Sequence, residues 1–395
     1  MIYSDFNGEK ISALGFGTMR LPLVPGGGPG DIDQEKVNEM TAYAMAHGVN
    51  YFDTAYPYHA SRSELSIAQA LAPYPRESYY LADKFPGHQK VTKYDPEGVF
   101  ADQLKKCRVD YFDFYLLHNV NENDIDVYLD PKWGIPEYFD EQRRLGKIKY
   151  LGFSCHADAE NMEYFLNKCK VKFDFCQIQL NYLDWTLQNA EEKCRILAKH
   201  NIPVWVMEPL RGGRLAKLSE GQTERLKALR PDEGVPAWGF RFLQGLDNVK
   251  VILSGMSAPE QMADNVKTFE ERKPLNEEET KAILAVAEEV KTAVPCTSCR
   301  YCCAGCPKQL EIPKLINLYN DVRVAKTVNQ SMRLQALGES GKPENCIGCG
   351  KCKISCPQKI DIPALMKVMA EKFKELPDWD QVCREREAAQ KNSKN

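Results

Sequence analysis

Tyr111-Phe-Asp-Phe-Tyr-Leu-Leu-His118 decides the fold. Apart from Asp113 the run is aromatic or aliphatic up to its terminal histidine, so neither face of a strand built from it belongs in water. Strands covered on both faces belong to parallel sheets, in which helices carry the chain back between one strand and the next. Working outward, similar runs recur at Tyr79–Phe85, Asn50–Ala55 and Leu14–Met19 on one side. On the other side they fall at Tyr150–Ser154, Phe173–Leu180, Val204–Pro209 and Val249–Ser254. Helical patterns separate them, at Asp33–His47, Ser61–Leu71, Pro96–Val109, Ala159–Lys168, Asn189–His200, Pro236–Leu246 and Pro259–Thr268. Eight such units in roughly 250 residues is the size of an α/β (β/α)8 TIM barrel. A doubly wound open sheet is the alternative, but no G-x-G-x-x-G follows the first strand, and Gly26–Gly30 beside its prolines reads as a loop. Asn7-Gly8 between short apolar segments predicts a hairpin that closes the barrel's bottom.

The chain has 395 residues, 43% hydrophobic and 27% charged, with a net charge of −3. That composition belongs to an ordinary globular protein of about two domains. It gives no electrostatic reason for a nucleic-acid or anionic-lipid partner. The N-terminus lacks an apolar signal core, and no stretch is long and apolar enough to span a bilayer. The expectation is a cytoplasmic protein that uses no membrane.

Fifteen cysteines need a reason in a reducing compartment. Cys107, Cys155, Cys169, Cys176 and Cys194 lie among apolar neighbours and read as small buried hydrophobes. The other ten follow Val294. A charged amphipathic helix, Asn276–Thr292, leads into them and marks the junction between a domain over 1–275 and a second over 276–395. Beyond it the chain repeats at an interval of 50 residues, from Cys296 to Cys346. Cys306-Pro-Lys-Gln-Leu-Glu-Ile-Pro parallels Cys356-Pro-Gln-Lys-Ile-Asp-Ile-Pro, so each half is a cysteine loop followed by a helix entered at Pro313 or Pro363. The charged tail after Pro377 reads as frayed.

Both runs, Cys296-x2-Cys299-x2-Cys302-x3-Cys306-Pro and Cys346-x2-Cys349-x2-Cys352-x3-Cys356-Pro, fit the bacterial ferredoxin pattern in full. Cysteines three apart curl around one cluster, and the fourth reaches the other. The spacing therefore assigns Cys296, Cys299, Cys302 and Cys356 to one cluster and Cys346, Cys349, Cys352 and Cys306 to the second. Tetrathiolate zinc is the alternative, disfavoured by three ligands in series followed by Cys-Pro. Cys303 is an extra cysteine beside Cys302, either a substitute ligand or, the favoured reading, a residue that packs nearby. These runs resemble the [4Fe–4S] ferredoxin-type domain, mainly helical here, which implies electron transfer or a structural staple.

In the barrel, Asp53 and Tyr58 stand at and just past the end of the second strand, Lys84 at the end of the third and His118 at the end of the fourth. Strand C-termini converge on one face of such a barrel, so residues far apart in sequence meet there. Singly, each has a structural explanation; three successive strand ends outweigh it. From Leu14-Gly-Phe-Gly-Thr-Met-Arg20 through Asn265 the chain resembles the aldo/keto reductase family. The resemblance implies a catalytic tetrad of Asp53, Tyr58, Lys84 and His118. Tyr58 would give a proton to a carbonyl, Lys84 would stabilise its phenolate, Asp53 would orient Lys84 and His118 would polarise the oxygen.

The same resemblance implies an NAD(P)H site. Ser154 and Gln177 would contact the nicotinamide amide, with Asn119 a lesser candidate. Leu210 and Gly212 would carry the loop over the pyrophosphate, and Glu260 and Asn265 would bind the adenosine. The family's aromatic stacking residue falls at Met207, and its two 2′-phosphate ligands fall at Gly255 and Gln261, leaving Arg211 or Arg214 to compensate. His59 and His156 either line the pocket or pack. The family's habit of shaping the pocket with the chain after the eighth helix implies that the second domain lies at the barrel mouth.

The reading is therefore NAD(P)H-linked reduction of a small-molecule carbonyl, or the reverse oxidation of an alcohol, with two [4Fe–4S] clusters attached. The rival is an electron-transfer enzyme or adaptor that relays single electrons through the clusters to a substrate, a flavin or a partner. Its electron partner would be a ferredoxin or flavodoxin. Nicotinamide moves electron pairs and clusters single electrons, so coupling the two needs an intermediary.

Overall fold

The structure is a computed structural model that describes residues 1–392 except 90, 292, 293, 295, 297–299, 325 and 357. Two short strands, β1 (Tyr3–Phe6) and β2 (Glu9–Ser12), pair antiparallel through Asn7 and Gly8, at φ 53° and 85°. Positive φ at both central positions is what a tight hairpin matched to strand twist requires. Eight parallel strands then follow: β3 (Leu14–Gly17), β4 (Tyr51–Asp53), β5 (Tyr80–Phe85), β6 (Phe112–Val120), β7 (Ile148–Cys155), β8 (Phe175–Gln179), β9 (Val204–Met207) and β10 (Val249–Ser254). They close in chain order, with β10 pairing back onto β3. Each of the eight strand expectations meets a strand of the barrel.

The barrel is a packed core. Phe114 sits in its interior, 5.1 Å from the ring of Tyr51, 5.2 Å from Phe175 and 5.6 Å from Trp205. Room for these rings comes from neighbours without side chains: a Cβ on Gly152 would stand 2.6 Å from Phe175. Phe6 of the hairpin lays its ring against Tyr150 and Trp205 at 4.8 and 5.0 Å, sealing the end where the strands begin. Outside the strands, acidic N-caps set helix starts: Asp33, Asp95 and Asp158 each accept a backbone N–H three residues on.

The helix Glu277–Lys291 buries Ile283, Val286 and Ala287 in the barrel's outer core, and its Glu279 meets the Arg230 guanidinium at 2.7 Å with both oxygens. A second core follows, built around Leu315, Ile316, Tyr319 and Val322 of the helix Ile312–Val324 and Met366, Met369 and Phe373 of the helix Ile362–Phe373. The sequence repeat is a structural repeat. Arg300 and Gly350 share the left-handed turn that opens a short helix, and Gln309 and Lys359 share the one that follows it. The tail differs from expectation. Instead of fraying it forms the helix Trp379–Asn392, held by Trp379 and Cys383, 3% and 6% exposed. Among the described residues no helix is long and apolar enough to cross a membrane.

The second unit lies on the face where the barrel strands end. Four barrel partners in this contact come from loops that follow a strand, and Asn119, near the end of β6, donates to the Met332 sulfur at 3.8 Å. Asn123 donates to the Met332 carbonyl at 2.7 Å, and Asn329 meets His156 at 3.1 Å. Gln188 donates to Asp321 at 2.8 Å, and Trp379 stacks on His88 with ring centroids 6.0 Å apart.

Candidate active site at the barrel mouth

Strand β4 ends on Asp53 and strand β5 carries Lys84 one residue before its end, so both side chains enter the mouth from adjacent strands. Lys84 Nζ donates to Asp53 Oδ1 and, at 2.6 Å, to the Thr54 carbonyl. The lysine side chain is fully buried and that of Asp53 is 5% exposed. Gln177 Nε2 donates to the other carboxylate oxygen at 3.3 Å. A buried ammonium is tolerated because the site supplies a carboxylate and a carbonyl for it. The Lys84 nitrogen stands 5.1 Å from the centre of the Tyr58 ring, and the ring of His118 meets Tyr58 edge-on at 5.7 Å. The structure thus brings Asp53, Tyr58, Lys84 and His118 together.

Electrostatics divides their roles. Burial opposes the Lys84 charge, but Asp53 and Tyr58 outweigh it and hold the ammonium above the ordinary lysine value. Burial lifts the Asp53 carboxyl, against the pull of Lys84. The Tyr58 phenol is also raised, by burial first, with Lys84 offsetting part of the effect. The lysine works in the direction expected from the sequence, but desolvation is the larger influence. His118 is pushed well below the usual histidine range by burial and by the nearby His88, Lys84, His156 and Arg386. It is a neutral imidazole, and its Nδ1 is buried with no hydrogen-bond partner among the described residues.

The residues expected at the cofactor spread along one edge of the mouth. Ser154 Oγ, at the end of β7, accepts the Asn119 backbone N–H at 2.7 Å. Asn265 donates to Ser254 Oγ at 3.0 Å, and Glu260 is exposed in the first turn of the helix Pro259–Thr268. Leu210 packs against Gly239, where a Cβ would stand 2.7 Å from it. Gly212 and Gly213 turn the loop at φ 65° and 87°. Arg211 points away from this edge. It is buried between Asp184 and Asp321, and Asp321 also takes Arg333 at 2.8 Å. Arg214 is exposed. The guanidinium lying against Gly212 belongs instead to Arg20, whose aliphatic stem packs on Gly255 and which pairs with Glu208 at 3.0 Å. Of the two uncertain histidines, His59 accepts the Leu21 N–H at 3.1 Å and meets the Pro29 carbonyl at 2.8 Å, so it braces a loop.

Sequence reasoning missed three residues near the mouth. Arg20 lay inside a quoted motif but had no assigned partner. Trp379 and Arg386 lay in the charged tail, where their spacing of seven residues was the available signal.

In the second unit, Cys306, Cys346, Cys349 and Cys352 line one hollow together with Pro307, Leu310, Ile312, Ile362, Pro363 and Met366. Cys296, Cys302 and Cys356 border the same core, with Cys303 beside them; Cys299 lies outside the described residues. Among the described residues no three metal-ligating side chains converge on a single point. A tetrahedral zinc ion draws its sulfurs to about 2.3 Å from itself. Thiols spread around a hollow suit a cluster with a body of its own.

A family model described as the aldo/keto reductase family matches residues 13–288, and one described as a 4Fe-4S dicluster domain matches residues 295–360. The NADH-specific methylglyoxal reductase of Escherichia coli (strain K12) is 25% identical over 302 residues, which cover 65% of this chain and 89% of that protein. An uncharacterized oxidoreductase of Bacillus subtilis (strain 168) is 24% identical over 298 residues, 69% of this chain and 92% of that one. Among solved structures, the holo form of an aldo-keto reductase from Bacillus halodurans matches with a TM-score of 0.57 at 25% identity, covering 71% of this chain and 93% of its own.

Proposed function

The chain belongs to the aldo/keto reductase family, and from that premise we propose that this oxidoreductase performs NAD(P)H-linked reduction of a small carbonyl compound, or the reverse oxidation of an alcohol. The observation that carries the reading is the buried Lys84–Asp53 pair beneath Tyr58, with a neutral His118 at the same opening. A nicotinamide dinucleotide, when bound, supplies the electron pair as hydride. Ser154, Gln177, Leu210, Gly212, Glu260 and Asn265 are the residues we assign to it, with Arg20 nearest its phosphates. The left-handed, side-chain-free turn at Gly212 and Gly213 fits a loop that backbone must bring close to phosphate.

In this reading Tyr58 Oη gives its proton to the carbonyl oxygen. The phenolate left behind is stabilised by the Lys84 ammonium, which Asp53 and the Thr54 carbonyl keep charged and aimed. His118 is neutral and donates a hydrogen bond to the oxygen without competing as the acid. The chain is thereby a proton donor and an electrostatic frame around the reacting carbonyl. Reduction assayed with NADH or NADPH in Tyr58→Phe tests this. We expect a fall of about 10²-fold or more. Undiminished turnover would remove the tetrad from the chemistry.

The division into 1–275 and 276–395 belongs to the same proposal, with the helix Glu277–Lys291 docked on the barrel as the joining piece. So does the assignment of two [4Fe–4S] clusters, one on Cys296, Cys299, Cys302 and Cys356 and one on Cys346, Cys349, Cys352 and Cys306. The hollow lined by the last four supports it. The clusters supply single-electron transfer or brace a small core. A relay through them to the mouth, with a ferredoxin or flavodoxin as donor, is the second reading. It draws on one observation: the helix that follows Cys306 carries Asp321, the buried partner of Arg211 in the barrel.

A further inference from the structure

The helix Trp379–Asn392 brings one charged residue to the barrel mouth that the chemistry above does not use. The Arg386 guanidinium lies 5.5 Å from the centre of the Trp379 ring. Trp379 stacks on His88 at 6.0 Å and 18°, His88 meets His118 at 4.6 Å, and His118 meets Tyr58 at 5.7 Å. Arg386 is thus linked to the proton donor through Trp379, His88 and His118, and its charge acts on His118 and feels the Tyr58 hydroxyl. Burial holds its pKa below the ordinary arginine value.

Arg386 is half-buried, and its surroundings set it apart from the buried arginines. Arg211 has Asp184 and Asp321, Arg230 has Glu233 and Glu279, and Arg241 has Glu233. Among the described residues Arg386 forms no ion pair with a carboxylate; the titratable groups that face it are Cys383, Tyr58, His88 and His118. A guanidinium half-withdrawn from water without a counter-charge is free to take one, and its planar fork of N–H donors matches the oxygens of a carboxylate or phosphate. The helix holds it there on a stacked tryptophan that is itself buried, so its position is built and not a loose surface charge.

We propose that Arg386 is a specificity-determining residue that binds an anionic group of the substrate, and that the substrate is a carbonyl compound carrying a carboxylate or a phosphate. The inference rests on the carbonyl-reductase reading and narrows its substrate class. The anion sits against Arg386 while the carbonyl oxygen reaches Tyr58 and His118. A segment beyond the barrel thereby selects what the barrel reduces.

The test compares matched pairs on the cluster-loaded protein: pyruvate against butanone, and glyceraldehyde 3-phosphate against glyceraldehyde. For one pair the wild type should favour the anion at least tenfold in kcat/KM, and that pair identifies carboxylate or phosphate. Arg386→Gln should reduce the preference by tenfold or more, chiefly through KM, and Arg386→Lys should restore part of it. If Arg386→Gln does not fold, Arg386→Met, which keeps the stem over Trp379, replaces it. No preference in the wild type, or one that survives the substitution, would overturn the proposal. If the wild type reduces none of the four, the reductase reading fails on its own account. Equilibrium dialysis with labelled pyruvate and glyceraldehyde 3-phosphate then decides: binding lost in Arg386→Gln upholds the anion site, and absent or unchanged binding rejects it.

Discussion

At the barrel mouth, Lys84 and Asp53 are withdrawn from water and are each other's partner, with a backbone carbonyl and Gln177 completing the set. Around the hollow of the second unit four cysteines form part of the lining, Cys349 is exposed, and Ile347 near it is 60% exposed. The first site is satisfied by the protein's own groups and rests on a core of interlocked rings. Among the described residues, the second draws on a core of thirteen buried residues that spans two short helical repeats. A site of the first kind assembles with the barrel. A site of the second kind depends on what its thiols bind.

That contrast breaks most visibly at Lys84. Lys84→Met should lower carbonyl turnover by about 10³-fold, because the phenolate loses its cation and Asp53 is left buried alone. Iron content should be near wild type, and a parallel loss of iron would show that the two sites are not independent. At the hollow the effect should reverse. Cys349→Ser should lose about half of the iron, measured anaerobically, since each cluster needs four thiolates. Full iron in that variant would remove Cys349 from the ligand set. Between the two regions, Asp321→Asn should destabilise the docked protein by about 3 kcal/mol in denaturant unfolding, because Arg211 and Arg333 lose the carboxylate they share. The Asp321 carboxyl is held below its usual range by the Arg211 and Arg333 charges, which outweigh its burial. The stability it contributes is thus present above the ordinary aspartate pKa and is lost as the pH falls through its depressed value.

The smallest expected effect sharpens the account of the mouth. The Tyr58 pKa is raised and the protonated form is the active one, so kcat/KM for reduction should be flat from about pH 6 to 8 and fall only above the ordinary tyrosine value near 10. His118, held neutral, contributes no break in that window. An inflection near pH 6.5 would transfer proton donation to a charged histidine.

How much of this was legible depended on whether the signal was local. The cysteine runs carry their meaning in their spacing, and the strands in unbroken apolar stretches, so both could be read directly. The meeting of Asp53, Lys84 and His118 was legible through topology, since they acquire a common location once their strands close a barrel. Two things could not be read. The helix Trp379–Asn392 buries a narrow stripe, Trp379 and Cys383, with Arg386 half-buried beside it, in a segment otherwise so charged that its composition suggested fraying. Arg211 appeared free to meet a phosphate because its partner Asp321 lies 110 residues away on another unit. The direction of the Tyr58 shift was likewise a matter of burial, which a sequence does not state residue by residue.

The central claim is that the barrel mouth performs the carbonyl chemistry while the cysteine unit holds the clusters. Tyr58→Phe and Cys349→Ala, measured side by side for carbonyl turnover per folded protein and for iron and sulfide per chain, test it most directly. The account predicts a crossed result: Tyr58→Phe loses about 10²-fold or more of turnover with its iron intact, and Cys349→Ala loses iron while its NAD(P)H-dependent turnover persists. Undiminished turnover in Tyr58→Phe, or turnover that vanishes with the iron in Cys349→Ala, would contradict it.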